Sequence, residues 1–295
     1  MPKRWLVVGG DGQIGRAVLR RARRAGRDVV ATTRRPQPAG GAACHLDLAH
    51  DLSGWRPPEG IAVAVLCAAV TSVARCQADP AGTHAINVEA LWTVSQALFA
   101  AGAFVVFPST NLVFDGSVAC RRAEELVCPT TEYGRQKAEV EGRLLAAGDQ
   151  AAVVRLTKVL TPDMPLIAGW LEALKHGQVI RPCSDMVLSP LSLGFAAEVL
   201  WRVGSERVPR ITQASGHEDI TYAELAAHVA GRLGVAPDLV QPTTSAEAGL
   251  AVANVPRHTT LDTRRLRTVF ALDVPGVWQT VDDVLGLSAR PAGEW

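Results

Sequence analysis

Two side chains able to handle a proton stand four residues apart in "EYGRQKAEVE": Tyr133 and Lys137. The stretch has helical periodicity, so both lie on one face. A phenol with a pKa of ~10 is a poor proton donor or acceptor at neutral pH. Bringing it to about 7 takes roughly 4 kcal/mol, at about 1.4 kcal/mol per unit. One ammonium ~4–5 Å away, at an effective dielectric of ~20, supplies about that much. The expectation is a tyrosine made acidic by its lysine. Upstream, "FPST" ends an apolar run with Ser109 and Thr110, whose hydroxyls would polarise a substrate carbonyl.

A second group of residues is suited to a cofactor. "VVGGDGQIGRAV" (7–18) spaces Gly9, Gly12 and Gly15 three apart, between an apolar run and an amphipathic one. Between a strand and a helix, one glycine permits a tight turn, one admits a pyrophosphate and one lets the two elements pack closely. The helix start then offers unpaired N–H groups to phosphate charge. The end of the second strand selects the dinucleotide. An acidic residue there would hold the ribose 2′-OH of NAD, but the chain has Thr33 followed by Arg34 and Arg35. Guanidinium groups pair with phosphate and no carboxylate is expected there to repel one, so NADP(H) is expected in preference to NAD(H). Asp47 and Leu48 in "HLDL" suit the edge and face of an adenine.

Positioning these groups requires an ordered scaffold. "RWLVVGG", "RDVVATTRR", "IAVAVLCAAV", "AFVVFPST" and "QAAVVRLTKVL" read as strands. "IGRAVLRRARRAG", "HAINVEALWTVSQALFAAG" and "TEYGRQKAEVEGRLLAAG" read as helices between them, the first with Ile14, Val18 and Leu19 inward and arginines outward. Strict alternation with short links predicts an α/β fold with a doubly wound parallel sheet. After about residue 160 the texture changes to helices joined by Pro-containing loops. Residues 1–160 are expected to hold the cofactor and 161–295 to form a smaller substrate-binding lobe, with some of "SPLSLGFAAEVLWRV" a candidate to return to the first domain. Trp92 and Trp201 fall on apolar helix faces and are expected in the core.

Composition narrows the class. A chain of 295 residues, 48% hydrophobic and 20% charged, suits a globular protein with a sizeable core. A net charge of +1 gives no electrostatic case for nucleic acid or an anionic membrane. Neither a signal peptide nor a run of ~20 apolar residues is evident, so the cytoplasm is the expected location. Six cysteines without CxxC or zinc-type spacing are expected to be free thiols, and no metal is expected.

Several stretches carry a family resemblance, in order along nearly the whole chain: "GGDGQIG", "CAAVTSV", "INVEA", "STNLVFDG", "YGRQKAEVE", "VVRLTKV", "DMVLSPLS" and "TTLDTRRL". With them the sequence resembles the extended short-chain dehydrogenase/reductases, and within those the dTDP-4-dehydrorhamnose reductase group. The resemblance implies a Rossmann domain with a smaller C-terminal lobe, and NADPH-dependent reduction of a nucleotide-linked 4-keto-sugar. It implies that Tyr133 protonates the carbonyl, that Lys137 holds the cofactor ribose and lowers the tyrosine pKa, and that Thr110 orients the substrate. Gln13 and Ile14 beside the glycines, then Cys67, Ala68, Ala69 and Asn87, fall at its cofactor positions. Thr71, Asn111 and Lys158 fall at positions facing the substrate. Dimerisation is common in the family, so a homodimer is the implied assembly.

Departures from the family pattern fall on the substrate side. "STDYVFDG" becomes "STNLVFDG", with Asn111 and Leu112 in place of Asp and Tyr. "RTSWVYG" becomes "RLTKVLT", so Lys158 stands where an indole usually lies. "NAA" is Cys67-Ala68-Ala69, and Val255 replaces the arginine before Pro256. Lys158 is open to two readings, an anion contact in an altered pocket or a surface residue. Arg181 and Arg257 are further phosphate candidates. An epimerase or dehydratase is a rival, although dehydratases place an acidic pair where Asn111 and Leu112 stand. The other rival is a non-catalytic NADP-binding subunit, because the methionine adenosyltransferase regulatory subunit resembles the same group.

Overall fold

The computed structural model describes residues 4–35, 43–250 and 255–287. Every residue singled out above lies within them; the outer ends of the two expected domains, 1–3 and 288–295, do not. The chain runs β1 (Arg4–Val8), α1 (Gln13–Arg24), β2 (Val29–Thr33), β3 (Ala43–His45), β4 (Ile61–Leu66), α2 (Val73–Ala78) and α3 (Pro80–His84). A π turn (Ala85–Ala90) leads into α4 (Leu91–Ala100), followed by β5 (Phe104–Thr110), α5 (Glu132–Ala146) and β6 (Ala151–Leu156). Beyond lie β7 (Val159–Leu160), α6 (Pro165–Lys175), β8 (Val187–Leu188), β9 (Leu191–Ser192), α7 (Leu193–Glu206) and β10 (Arg210–Ala214). The last elements are β11 (Ile220–Thr221), α8 (Tyr222–Leu233), α9 (Arg264–Phe270) and α10 (Val277–Leu285).

Seven strands pair in parallel in the order β10-β6-β5-β4-β1-β2-β3. The chain winds outward from β1 in both directions, which is the doubly wound α/β arrangement the alternation predicts. Side chains alternate across the sheet. Trp5 and Val7 of β1 join the cluster under α1 and α7, and Leu6 and Val8 join the cluster under α4 and α5. A third cluster, built from α6, α8 and α10 with β8 and β11, forms the core of the smaller lobe.

The short edge strand β3 carries too few residues to show a period, so the expected third strand, at 61–66, is the fourth in the structure. "QAAVVRLTKVL" is broken in two. After β6 the Thr157 hydroxyl bonds Ser189 O at 2.5 Å, and β7 pairs with β9 instead. The chain after residue 160 divides between two cores: α7, β10 and α9 pack on the parallel sheet, and α6, α8 and α10 do not. Trp201 of α7 stacks on Trp5 of β1 with ring centroids 4.5 Å apart. Arg21 of α1 lies over the same indole at 4.9 Å and pairs with Glu198. Among the described residues no helix is long and apolar enough to cross a membrane, and all six cysteines are unpaired.

Candidate active site

In a parallel sheet every strand delivers its carboxyl end to one edge, and ligands of such folds sit there. Along that edge Lys158 lies two residues past β6, Thr110 ends β5, Cys67 follows β4, Gly9 follows β1 and Thr33 ends β2. From β5 to β2 is three strand spacings, about 14 Å. The predicted substrate, catalytic and cofactor positions therefore form one row, ordered by strand position and not by sequence.

The glycine turn is built by backbone contact. Gly9 has φ +82°, and a Cβ there would come within 2.7 Å of Ala68 N. A Cβ on Gly15 would collide with Gly9 O. The turn is tied to β2, since Gly9 N donates to Thr32 Oγ1 at 3.0 Å and Gly10 N to Thr32 O at 3.0 Å. Gly12 caps α1 without a side-chain acceptor, and the helix carries no acidic residue in its first turn. Its leading N–H groups are thus available to an anion, so the cradle fits a pyrophosphate. Ile14 packs against the core below. Gln13 does not face the row: its Nε2 donates to Thr161 Oγ1 at 3.3 Å and Asp163 Oδ1 at 3.0 Å, bracing the turn against the smaller lobe.

The adenosine end differs from expectation in two places. The Thr33 hydroxyl donates to Asp11 Oδ2 at 2.5 Å, so a carboxylate from the glycine turn does stand at the end of β2, beside exposed Arg34 and Arg35. Leu48 is buried in the core and offers no open face, while Asp47 accepts from Ala49 N at 3.0 Å and pairs with His50.

Asn87 acts as a buried brace. Its Oδ1 accepts from Val70 N at 2.7 Å, and its Nδ2 donates to Val70 O at 2.9 Å and to Gln136 Oε1 at 2.8 Å. Gln136 in turn donates to Thr83 Oγ1 at 2.9 Å and Glu132 Oε1 at 3.2 Å. The π turn, α5 and the segment Cys67–Ala68–Ala69–Val70 are thereby joined behind the row. The resemblance placed Asn87 beside the cofactor; the structure gives all of these bonds to protein groups.

Tyr133 and Lys137 are one helical turn apart near the start of α5, which Thr131 caps by accepting from Gly134 N at 3.0 Å. A Cβ on Gly134 would collide with Leu112 O, so glycine lets this turn sit against the segment after Thr110. Thr110 Oγ1 accepts from Leu112 N at 3.2 Å and lies 3.5 Å from Asn111 Oδ1. Lys137 Nζ donates to Pro108 O at 2.9 Å and lies 4.3 Å from the centroid of the Phe107 ring. Helix α5 is thus pinned to the end of β5. Ser109 Oγ, on the Phe107 side of that strand, is buried with no hydrogen-bond partner among the described residues.

The electrostatics correct the sequence arithmetic. Tyr133 is 8% exposed, and burial, with a further contribution from Cys76, raises its pKa above the usual phenol value. Burial also brings Lys137 down to about 8, against the opposing effects of Cys67, Glu141 and Cys76. The ammonium sits 5.8 Å from the tyrosine ring centroid and is committed to a carbonyl, so desolvation outweighs its attraction for a phenolate. Burial likewise pushes the Cys67 thiol up to about 12, which leaves it protonated.

On the substrate side Lys158 keeps part of its side chain exposed at the mouth of the row, while its ammonium is largely desolvated and its pKa lowered by that burial. Its ammonium has no carboxylate or hydrogen-bond partner among the described residues. Thr71 is exposed just before α2. The periodicity did not reveal the fully buried pair Glu141–Arg155, bonded at 2.7 and 3.1 Å, with Glu141 one turn beyond Lys137 on α5. A groove of about 700 Å³ between α1 and the smaller lobe, lined by Arg16, Arg20, Asp163 and Asp283, shares only Gln13 with the predicted site. His84, Glu89 and Glu139 bring potential ligand atoms within 4.8 Å of one another, but Arg143 bonds both glutamates at 2.6 and 2.7 Å.

This arrangement has relatives. The chain is 28% identical over 255 residues to dTDP-4-dehydrorhamnose reductase of Mycobacterium tuberculosis, covering 83% of this chain and 80% of that protein. It is 26% identical over 289 residues to methionine adenosyltransferase 2 subunit beta of Bos taurus, covering 90% and 82%. The crystal structure of dTDP-4-dehydrorhamnose reductase from Bacillus anthracis in complex with NADP superposes with a TM-score of 0.82 at 18% identity, covering 96% of this chain and 99% of that one. The RmlD substrate binding domain family matches residues 3–287, and the chain belongs to it.

Proposed function

We propose that the protein is an NADPH-dependent oxidoreductase that reduces the carbonyl of a nucleotide-linked 4-keto-(deoxy)sugar to an alcohol. The observation that carries the reading is the Tyr133–Lys137 pair, held one turn apart and fixed through Pro108 O to the strand that ends at Thr110. The named reductases among its relatives support it. The turn Gly9–Gly15 would hold the cofactor pyrophosphate, and Arg34 and Arg35 would lie beside the adenosine 2′-phosphate. Bound NADPH supplies the hydride. Thr110 donates a hydrogen bond to the substrate carbonyl, and Tyr133 gives that oxygen its proton as the carbon–oxygen double bond becomes single. A phenol whose pKa is raised keeps its proton at neutral pH and gives it up reluctantly, so donation depends on a charge that stabilises the phenolate as it forms. Lys137, still largely charged below about 8, stabilises the phenolate left behind. Lys158 would meet an anionic part of the substrate at the mouth of the row, and the α6–α8–α10 lobe would enclose the nucleotide.

The test is NADPH consumption against a panel of 4-keto sugar nucleotides, compared with Tyr133→Phe. Turnover reduced about 100-fold or more in the variant is expected. Equal turnover in both proteins would remove Tyr133 from the chemistry. Asn111 and Leu112 supply no carboxylate after Thr110, which speaks against dehydration. A regulatory role is the second reading, favoured by the match to methionine adenosyltransferase 2 subunit beta over 90% of the chain. It predicts no turnover with any sugar nucleotide, and saturable binding to a methionine adenosyltransferase catalytic subunit.

A further inference from the structure

We propose that Asp11 accepts a hydrogen bond from the adenosine ribose 2′-hydroxyl, and so opposes the preference for a 2′-phosphate that Arg34 and Arg35 confer. The inference rests on the dinucleotide reading of the glycine turn. Parallel pairing of β1 with β2 brings the turn at 9–12 against the end of β2, and the Gly9 and Gly10 amides lock it there through Thr32. Thr33, 5% exposed, donates its hydroxyl proton to Asp11 Oδ2 at 2.5 Å and accepts from Arg35 N at 3.1 Å through the same oxygen. The carboxylate is therefore held at the strand end by a buried hydroxyl, while the residue itself is exposed. Oδ1 has no partner among the described residues.

An ionised carboxylate can only accept hydrogen bonds. It accepts a hydrogen bond from a ribose hydroxyl and repels a phosphate at the same position. Enzymes that select NAD place an acidic residue at the end of the second strand for this purpose. Here the strand supplies a threonine and two arginines, and the acid arrives from the preceding turn. Discrimination between the two dinucleotides at this corner is a contest between Asp11 and the two guanidinium groups. Asp11 is accordingly a specificity-determining residue that sets how strongly the site favours the phosphorylated cofactor.

The experiment measures dissociation constants of NADPH and NADH for the full chain by nicotinamide fluorescence, with no substrate present. It compares wild type, Asp11→Asn, Asp11→Ala, Arg34→Ala and Thr33→Val, with melting temperatures confirming that each variant is folded. Both neutral Asp11 variants are expected to raise the NADPH-over-NADH preference about tenfold, the effect of removing one nearby like charge. Arg34→Ala is expected to move it the other way. If Asp11 merely anchors the turn, Asp11→Asn and Thr33→Val will weaken both dinucleotides in parallel, and a preference within about twofold of wild type overturns the proposal. If wild type binds neither dinucleotide, the reading of the glycine turn fails and takes this inference with it.

Discussion

Replacing Asn87 with leucine removes the bonds to Val70 and Gln136 while filling a similar volume. The two bonds to the Val70 backbone, at 2.7 and 2.9 Å, are each worth about 1 kcal/mol net. The third strands Gln136 Oε1 inside a residue only 1% exposed, which costs a further 1–3 kcal/mol or so, roughly. Together the loss is roughly 4 kcal/mol, against a total stability of about 5–15 kcal/mol for ordinary proteins. Asn87→Asp keeps the acceptor for Val70 N but faces a carboxylate toward Val70 O and Gln136 Oε1, so it is expected to cost at least as much. Urea unfolding followed by tryptophan fluorescence reads the stability of each variant, and dinucleotide affinity is measured on the same samples. A brace behind the 67–70 segment predicts that stability and affinity fall together. Sharply reduced affinity with a stability loss below about 1 kcal/mol would refute the brace and make Asn87 a direct cofactor contact.

Other consequences are equally open to measurement. Lys137 titrates near 8 in the folded protein against 10.5 ordinarily, so between those values the unfolded chain binds more protons and stability rises with pH. Relative to Lys137→Met, wild type should gain roughly 3 kcal/mol across that window, and a constant difference between the two proteins would contradict the shift. Gly134→Ala forces the first turn of α5 away from Leu112 O; turnover should fall about 10- to 100-fold, with a smaller loss of dinucleotide affinity, and unchanged turnover would refute the close approach as a requirement for catalysis. Arg155→Met leaves the Glu141 carboxylate buried without its partner and should cost about 3–5 kcal/mol. Adding Glu141→Gln should recover part of that, and strictly additive losses would mean the pair does not couple.

What could be read from the sequence follows from the range of the interactions. Strands and helices of the first half showed their period, and the Tyr133–Lys137 relation is fixed by one helical turn. Both were legible without any tertiary knowledge. The Asp11–Thr33 contact was not, because it depends on the turn folding back across a strand pair, 22 residues apart. Glu141 and Arg155 lie on a helix and a strand whose periods show only that each faces inward. The phenol differs for another reason: charge separation can be estimated from spacing, but desolvation depends on what the fold packs around the group, which leaves Tyr133 buried with Cys76 nearby. In the second half, β7, β8, β9 and β11 have two residues each and carry no period, so the return of β10 and α9 to the sheet left little trace, whereas "SPLSLGFAAEVLWRV" did point to the return of α7.

That return has a consequence for the architecture as a whole. Residues 193–214 and 264–270 complete the parallel sheet and its cover, whereas the segments on either side of them build the other core. The polypeptide is stitched back and forth between its two halves, and no single cut yields one whole half. Limited proteolysis or truncation near residue 160 would expose β6 as a raw edge and strip the Trp5 ring of its stacking partner. Grafting a new substrate lobe onto this sheet therefore means exchanging several interleaved segments together, not swapping a terminal cassette.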